Sequence, residues 1–220
     1  LFVKTLKLAK IVTFISQKTA EECSSYVNIK ENRKKVVYDA VDDSLVFSSH
    51  EFNAEKPVFL HIGVKANKNL IRSIEAMKGL SAHLRIIGKL DEKVQKILDA
   101  SRIEYSNGYN LSDEEIFEKY KKCDIVNFPS LYEGFGMPIV EGNAVGRVVV
   151  TSNRSPMNEI ANGAAVLVNP EDVASIRKGY LEAIKNHDYY IKKGTENSSR
   201  FRCSEISKQY MSIYKAVIIG

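Results

Sequence analysis

From residue 57 onward the sequence alternates short apolar runs with segments of helical spacing, and this alternation limits the fold more than any other feature. "PVFLHIG" is a continuous apolar run closed by glycine. "NKNLIRSIEAMKGL" follows, with Leu70, Ile71, Ile74, Met77 and Leu80 on one helical face and Gly79 at its end. "LRIIG", "IEYS", "DIVNFPS", "RVVVTS" and "AAVLV" read as further strands. "DEKVQKILDA", "LSDEEIFEKYKKC", "PIVEGNAVG", "SPMNEIANG" and "EDVASIRKGYLEAIKN" read as the helices that follow them. Ser112 and Glu115 have the spacing of a capping box, and Pro138 suits a first helical turn, where its missing N–H is no loss. Strands that are apolar throughout, each followed by a helix, predict an α/β fold: a doubly wound parallel sheet covered on both faces. Ligands of such sheets bind beyond the carboxyl ends of the strands. The loops after "FLHIG", "IEYS", "VNFPS" and "VVVTS" are therefore where a site belongs.

The start of the chain is different. "AKIVTFIS", "TAEECSSYVN" and "KKVVYDAVDD" predict a strand, a helix and a second strand, which cannot bury their own faces well. The expected division is a tail of an otherwise missing N-terminal domain over 1–45, a linker over 46–56 and the main domain over 57–200. A C-terminal helix over 201–220 is expected to pack back on the tail. Cys23, Cys123 and Cys203 are scattered and odd in number, which predicts reduced thiols rather than a disulfide framework or zinc site. The apolar runs are too short to span a bilayer, and no signal peptide is evident. A net charge of +5 suits a phosphate-bearing ligand or an acidic membrane surface. The expectation is a cytoplasmic protein in peripheral contact with the membrane surface. Basic and aromatic residues do not interleave as a nucleic-acid platform requires, so no nucleic-acid partner is expected.

One loop carries the chemistry. In "SLYEGFGMPIVEG", Glu133 and Glu141 are separated by seven residues, and "GFG" leads into the helix that Pro138 opens. Free backbone N–H groups at a positive helix end form an anion site suited to phosphate. Carboxylates on either side can accept hydrogen bonds from sugar hydroxyls. The plain alternative is a capped helix with a glutamate favoured by the dipole. A second cluster, "GVKANKN", follows the first strand of the domain. Lys65 and Lys68 there can neutralise a diphosphate, and lysines at a helix start are disfavoured by the dipole unless an anion lies close by. His61, inside an apolar strand, reads as a core histidine, and Glu159 reads as a helix cap. His50, His83 and His187 share no metal-binding spacing.

"FPSLYEGFGMPIVEGNAVGRVVVTSN" resembles the C-terminal half of glycosyltransferase family 4 enzymes, which are retaining and share the two-domain GT-B fold. "GYNLSDEEIFEKYKKCDIVNFPS" and "NGAAVLVNPED" extend the resemblance, and "KKVVYDAVD" is similar to the family's interdomain linker. The resemblance covers nearly all of 34–218. It implies a Rossmann-like, nucleotide-sugar-binding C-terminal domain plus a partial N-terminal segment, with the two glutamates of the family's E-x7-E motif at Glu133 and Glu141. By that resemblance Glu133 is catalytic, meeting the transferred sugar and stabilising charge at its anomeric carbon. Gly134, Phe135, Gly136 and Met137 cradle sugar and phosphate with their backbone, and Glu141 accepts from the ribose. Tyr109 and Asn110 lie near the base, and Lys65, Lys68 and Asn69 meet the diphosphate. Where the family places an arginine and a lysine, this sequence has Lys65 and Lys68 at shorter spacing, and Asn158 stands where the family has proline.

The implied activity is transfer of a sugar from a nucleotide-diphosphate sugar to an acceptor alcohol, sugar or lipid-linked, in polysaccharide, lipopolysaccharide or glycoconjugate biosynthesis. No metal and no cofactor is expected beyond the donor itself. The chain would then be the donor-binding half, inactive until a complete N-terminal domain or partner chain joins it. The competing reading is a non-catalytic donor-binding or scaffolding module. A nicotinamide dehydrogenase fails because no GxGxxG follows "FLHIG" and no acidic residue ends "LRIIG". A sugar-nucleotide epimerase would leave the two glutamates unexplained.

Overall fold

The computed structural model describes residues 2–219. The chain begins with α1 (Phe2–Leu8), β1 (Val12–Phe14), α2 (Gln17–Tyr26) and β2 (Lys34–Val36). β1 and β2 pair in parallel, Val12 opposite Lys34, over a small core of Val12, Phe14, Ala20, Val27 and Ile29. Ser16 and Thr19 form a capping box that fixes the start of α2.

The larger part alternates as the sequence predicts. β3 (Val58–Ile62), α3 (Leu70–Met77), β4 (His83–Ile87), α4 (Glu92–Ser101), β5 (Glu104–Gly108), α5 (Asp113–Lys121) and β6 (Ile125–Phe128) come first. α6 (Met137–Ala144), β7 (Val148–Ser152), α7 (Met157–Ala161), β8 (Val166–Val168), α8 (Val173–Lys185), α9 (His187–Ser198) and α10 (Cys203–Ile219) follow. The predicted capping box is present: Ser112 N donates to Glu115 Oε2 at 2.8 Å, and Glu115 N to Ser112 Oγ at 3.3 Å.

All six strands of the main sheet are parallel, in the order β5-β4-β3-β6-β7-β8. Winding starts at β3, runs outward to β5, then returns to β6 and runs the other way. The order reverses between β3 and β6, and there the connections leave a crevice at the carboxyl edge. Successive strand residues serve opposite faces. Leu60, Val126 and Val149 pack with Tyr120, Ile139 and Val140 on one face. Phe59, Ile125, Val148 and Val150 pack with Ile74, Met77, Leu98 and Tyr180 on the other. This is the doubly wound sheet, covered on both sides.

The stretch between β2 and β3 is irregular yet anchored. Val41 and Leu45 are fully buried in the first of these cores beside Phe201. The buried Asp124 holds the approach to β3: Oδ1 accepts from His50 Nε2 at 2.8 Å and Asn53 N at 2.9 Å, and Oδ2 from Val58 N at 2.7 Å. Arg147 is buried without a carboxylate against it. Its Nη1 donates to the carbonyls of Ser48, Val145 and Gly146 at 2.9, 2.8 and 3.0 Å, and Nη2 to that of Lys121 at 2.6 Å. Lys121 ends α5 while Val145 and Gly146 follow α6, so the guanidinium is set against the negative ends of two helices. α10 reaches the start of the chain, where Lys10 Nζ donates to the Val217 carbonyl at 3.1 Å.

Two helices, α1 and α9, go beyond the predicted elements. In α9 the fully buried residues are Gly194, Asn197 and Ser198, while Tyr190 and Ile191 pack partly buried against the second core. Asn197 Nδ2 donates to Asn143 Oδ1 and to the Ile160 carbonyl, both at 3.0 Å, and a Cβ at Gly194 would lie 2.7 Å from Asn143 Nδ2. Close approach and amide hydrogen bonds, rather than apolar burial, seat α9 on α6. No described helix is long and apolar enough to cross a membrane.

Candidate active site

The crevice between β3 and β6 is bridged by one ion pair. β3 leads into Gly63, whose φ of +90° is open to glycine, and a Cβ there would lie 2.9 Å from Lys68 Cγ. The lysine stem therefore lies across the bare glycine. Lys68 closes a 3-10 turn over Ala66–Lys68, and its Nζ donates to Glu133 Oε1 at 2.8 Å while lying 4.9 Å from the Phe128 ring centroid. The two side chains are only 22% and 15% exposed, so this is not one of the solvated surface pairs that contribute little. Glu133 is the local anion that a lysine at this position calls for. Asn67 completes the bridge: its carbonyl accepts from Leu131 N at 2.8 Å, and Nδ2 donates to the Tyr132 carbonyl at 3.1 Å and Glu133 Oε1 at 3.4 Å.

Beyond Glu133 the chain turns through Gly134 and Phe135 into Gly136, which caps α6 at φ +119°. A Cβ at Gly136 would lie 3.1 Å from Ile139 Cδ1, in a backbone conformation that side chains rarely adopt. Pro138 occupies the first turn, as the sequence predicts. Among the described residues, no backbone hydrogen bond uses the N–H of Phe135, Gly136 or Met137. These free donors lie at the positive end of α6, an arrangement that can meet an anion. The Phe135 ring is buried, its centroid 5.9 Å from those of both Tyr38 and Phe201, so this residue can offer only its backbone.

Glu141 lies just past the first turn of α6. Tyr120, fully buried near the end of α5, donates to its Oε2 at 2.5 Å. Burial pushes the Glu141 carboxyl above its ordinary range, the Tyr120 hydroxyl and the Lys68 charge oppose this, and Asp113 and Asp42 add to it. Burial and the Glu141 charge push the Tyr120 hydroxyl far up, so it stays a donor.

Other predicted residues are placed differently. The Asn69 carboxamide is spent within the fold: Nδ2 donates to the carbonyls of Pro129 and Pro170 at 3.0 and 2.7 Å, and Oδ1 accepts from Arg72 at 3.0 Å. Both amide N–H donors are thus spent on joining loops, so the side chain has none left for a diphosphate oxygen. Lys65 is exposed and makes no ion pair among the described residues. It lines a separate cleft of about 380 Å³ with Arg72, Asp91 and Lys93, on which Lys68 does not border. Tyr109 and Asn110 are exposed beyond β5, two strands or roughly 10 Å from β3. Lys89 Nζ, after β4, lies 6.0 Å from the Tyr109 ring centroid.

His61 is buried in β3, where Asn127 Nδ2 meets its Nδ1 at 3.0 Å and Nε2 has no hydrogen-bond partner. Burial, helped by Lys68, lowers its pKa to about 4, so the ring is neutral. Glu159 caps another element's helix: its Oε1 accepts from Gln17 N, at the start of α2, at 3.0 Å. The same helix end meets the glycine turn. Ser16 Oγ donates to the Gly134 carbonyl at 2.7 Å, and Tyr132 donates to Glu22 Oε2 at 2.8 Å.

Asn67, Tyr120, Lys89 and Ser16 escaped sequence reasoning. Asn67 stands within the "GVKANKN" cluster, so its place was signalled. Nothing in the sequence around Tyr120 or Ser16 sets either apart. Two clefts of about 700 and 550 Å³ lie along β2, with Arg200 and Arg202 on one and Gln17 and Lys34 on the other. The mouth of α6 and the ion pair are at the sheet's carboxyl edge instead, and the chemistry there outweighs cleft size. Among the described residues no three His, Cys, Asp or Glu side chains converge in a way that would hold a metal ion.

Comparison with known proteins identifies the family and the fold. The family model described as Glycosyl transferases group 1 matches residues 42–200. The chain is 26% identical over 211 residues to the serotype-specific mannosyltransferase WbdA of Escherichia coli, covering 83% of this chain and 25% of that protein. It thus spans about a quarter of this relative's length. Among solved structures, sucrose-phosphate synthase from Thermosynechococcus elongatus superposes with a TM-score of 0.83 at 16% identity, covering 99% of this chain and 61% of that one. Anabaena Alr3699/HepE in complex with UDP-glucose gives 0.79 at 15% identity, covering 97% and 66%. At such identities these structures speak to the fold alone.

Proposed function

The chain belongs to the group 1 glycosyl transferases, and on that premise we propose that it is the donor-binding half of a retaining enzyme of the GT-B, family 4 type. Its substrate would be a nucleotide-diphosphate sugar, and its reaction transfer of the hexose to an acceptor alcohol in polysaccharide, lipopolysaccharide or glycoconjugate synthesis. The name of the Escherichia coli relative favours mannose. The observation that carries the reading is the Lys68–Glu133 pair beside the mouth of α6, at the point where the strand order reverses.

Each part has a chemical role there. An ammonium group has three donors, and Lys68 uses one on Glu133, which leaves two for a diphosphate oxygen. The free N–H groups of Phe135, Gly136 and Met137 take up the rest of the negative charge, which grows on the diphosphate as the glycosidic bond breaks. Glu133, fixed by Lys68 and Asn67, places a carboxylate beside the sugar, where it meets the hydroxyls and offsets positive charge at the anomeric carbon. Glu141 reads the ribose, and Tyr109 with Lys89 offers a face for the base.

Acceptor positioning is expected from a further domain or partner chain. Without it, an effective-concentration gain of up to about 7–11 kcal/mol is forfeited, enough to silence transfer. The test has two arms. A thermal-shift screen of UDP-, GDP- and ADP-linked sugars should show specific stabilisation by one base class. A radiolabelled-donor assay should show negligible transfer by this chain and transfer by a form carrying a complete N-terminal half. No stabilisation by any of the nucleotides would sink the donor-site reading, and full transfer by this chain would sink the half-enzyme reading.

A further inference from the structure

Tyr120 is fully buried near the end of α5, remote in sequence from both glutamates, yet its hydroxyl donates to Glu141 Oε2 at 2.5 Å. The ring has no freedom to move. It packs in the core with Val126, Ile139 and Val140, and its own carbonyl accepts from Cys123 N at 3.4 Å. The other carboxylate oxygen, Oε1, has no hydrogen-bond partner among the described residues and is not fully buried. Glu141 is therefore held by one oxygen and keeps the other free for a ligand.

We propose that Tyr120 is a positioning residue for donor specificity: by pinning Glu141 Oε2 it aims the carboxylate at a vicinal diol, so that the site distinguishes ribose from 2′-deoxyribose. This rests on the donor-site reading above. A carboxylate has about four acceptor positions, and Tyr120 takes one. A cis diol needs two that are fixed relative to each other. A freely rotating carboxylate would satisfy one hydroxyl almost as well as two, whereas a pinned one separates the two cases. A hydroxyl merely satisfying itself in the core would have no bearing on that difference.

The experiment measures calorimetric affinities of UDP, GDP and their 2′-deoxy counterparts for the chain, for Tyr120→Phe and for Glu141→Gln, with UDP-glucose and GDP-mannose as a further arm. The wild-type chain should prefer the ribonucleotide. Tyr120→Phe should shrink that preference by about fivefold or more, leave the increment due to the sugar unchanged, and melt cooperatively. Glu141→Gln should shrink the preference as well. Equal wild-type affinity for the ribo and deoxy forms, or an undiminished preference in Tyr120→Phe, would overturn this inference and leave the donor site standing. Failure of the wild-type chain to bind any of these nucleotides would overturn both.

Discussion

Lys68 Nζ and Glu133 Oε1, 2.8 Å apart, join the ends of β3 and β6, the two strands between which the sheet changes direction. The pair both closes the floor of the crevice and leaves a cation with unused donors facing it. Packing and site are the same contact here.

Lys68→Ala should weaken nucleoside diphosphate binding by about 1.5–3 kcal/mol, the scale of a hydrogen bond to a charged group. Binding should need no added magnesium in either protein. Calorimetry in the presence of a chelator checks both statements, and equal affinity in the variant would remove Lys68 from the site.

The two glutamates should separate. Glu141→Ala is expected to weaken the bare nucleotide and the sugar nucleotide alike, because ribose is common to both. Glu133→Ala should weaken only the sugar-bearing ligand once the freed Lys68 is accounted for, and its affinity for the bare diphosphate should hold or rise. A matched loss of bare nucleotide in both variants would show the roles to be misassigned.

His61 should make the fold acid-sensitive. Its folded pKa of about 4 lies below the ordinary 6.5, so the neutral ring contributes stability that is fully present above 6.5. That contribution is lost as pH falls toward 4, on the order of 3 kcal/mol in all. Denaturant unfolding between pH 7 and pH 4 is the measurement. His61→Gln should lose less stability over that window, and parallel slopes would contradict the assignment.

Arg147→Met should cost at least about 2 kcal/mol, since four buried or part-buried carbonyls lose a hydrogen bond, although that of Val145 keeps one from Ser48 N. Arg147→Lys should fall between, because one ammonium cannot span the ends of α5 and α6 together with the Ser48 carbonyl. Chemical denaturation of the three proteins gives the ranking.

The main sheet was legible because its central strands are buried along their length, so "FLHI", "IVNF" and "VVVTS" stand out as mostly apolar runs, whereas the largely exposed edge strand "EYSNG" is a weaker signal. Glu133, Gly136 and Pro138 were legible for a similar reason, since a glycine turn before a helix-opening proline has few uses. What stayed hidden depends on geometry that composition does not carry. The most buried positions of α9 are glycine, asparagine and serine, with only Tyr190 and Ile191 as apolar contacts, so its periodicity is weak. Asn69 looked like a ligand group next to Lys68, but a left-handed φ of 63° turns its amide down into the loops. Tyr120 has the spacing of a core aromatic, and only the fold reveals that its hydroxyl ends on Glu141.

The hydroxyl that caps α2 is shared with the glycine turn: Ser16 Oγ accepts from Thr19 N at 3.2 Å and donates to the Gly134 carbonyl at 2.7 Å. Gln17 N, one residue on, is tied to Glu159. The first turn of α2 and the glycine turn therefore cannot fray independently. Whatever quiets the loop must also slow amide exchange along Gln17–Tyr26, and whatever swings α2 must disturb the loop by the same free energy. A segment that touches no ligand thereby becomes a reporter of occupancy, and the α2 amides are the place to listen for it.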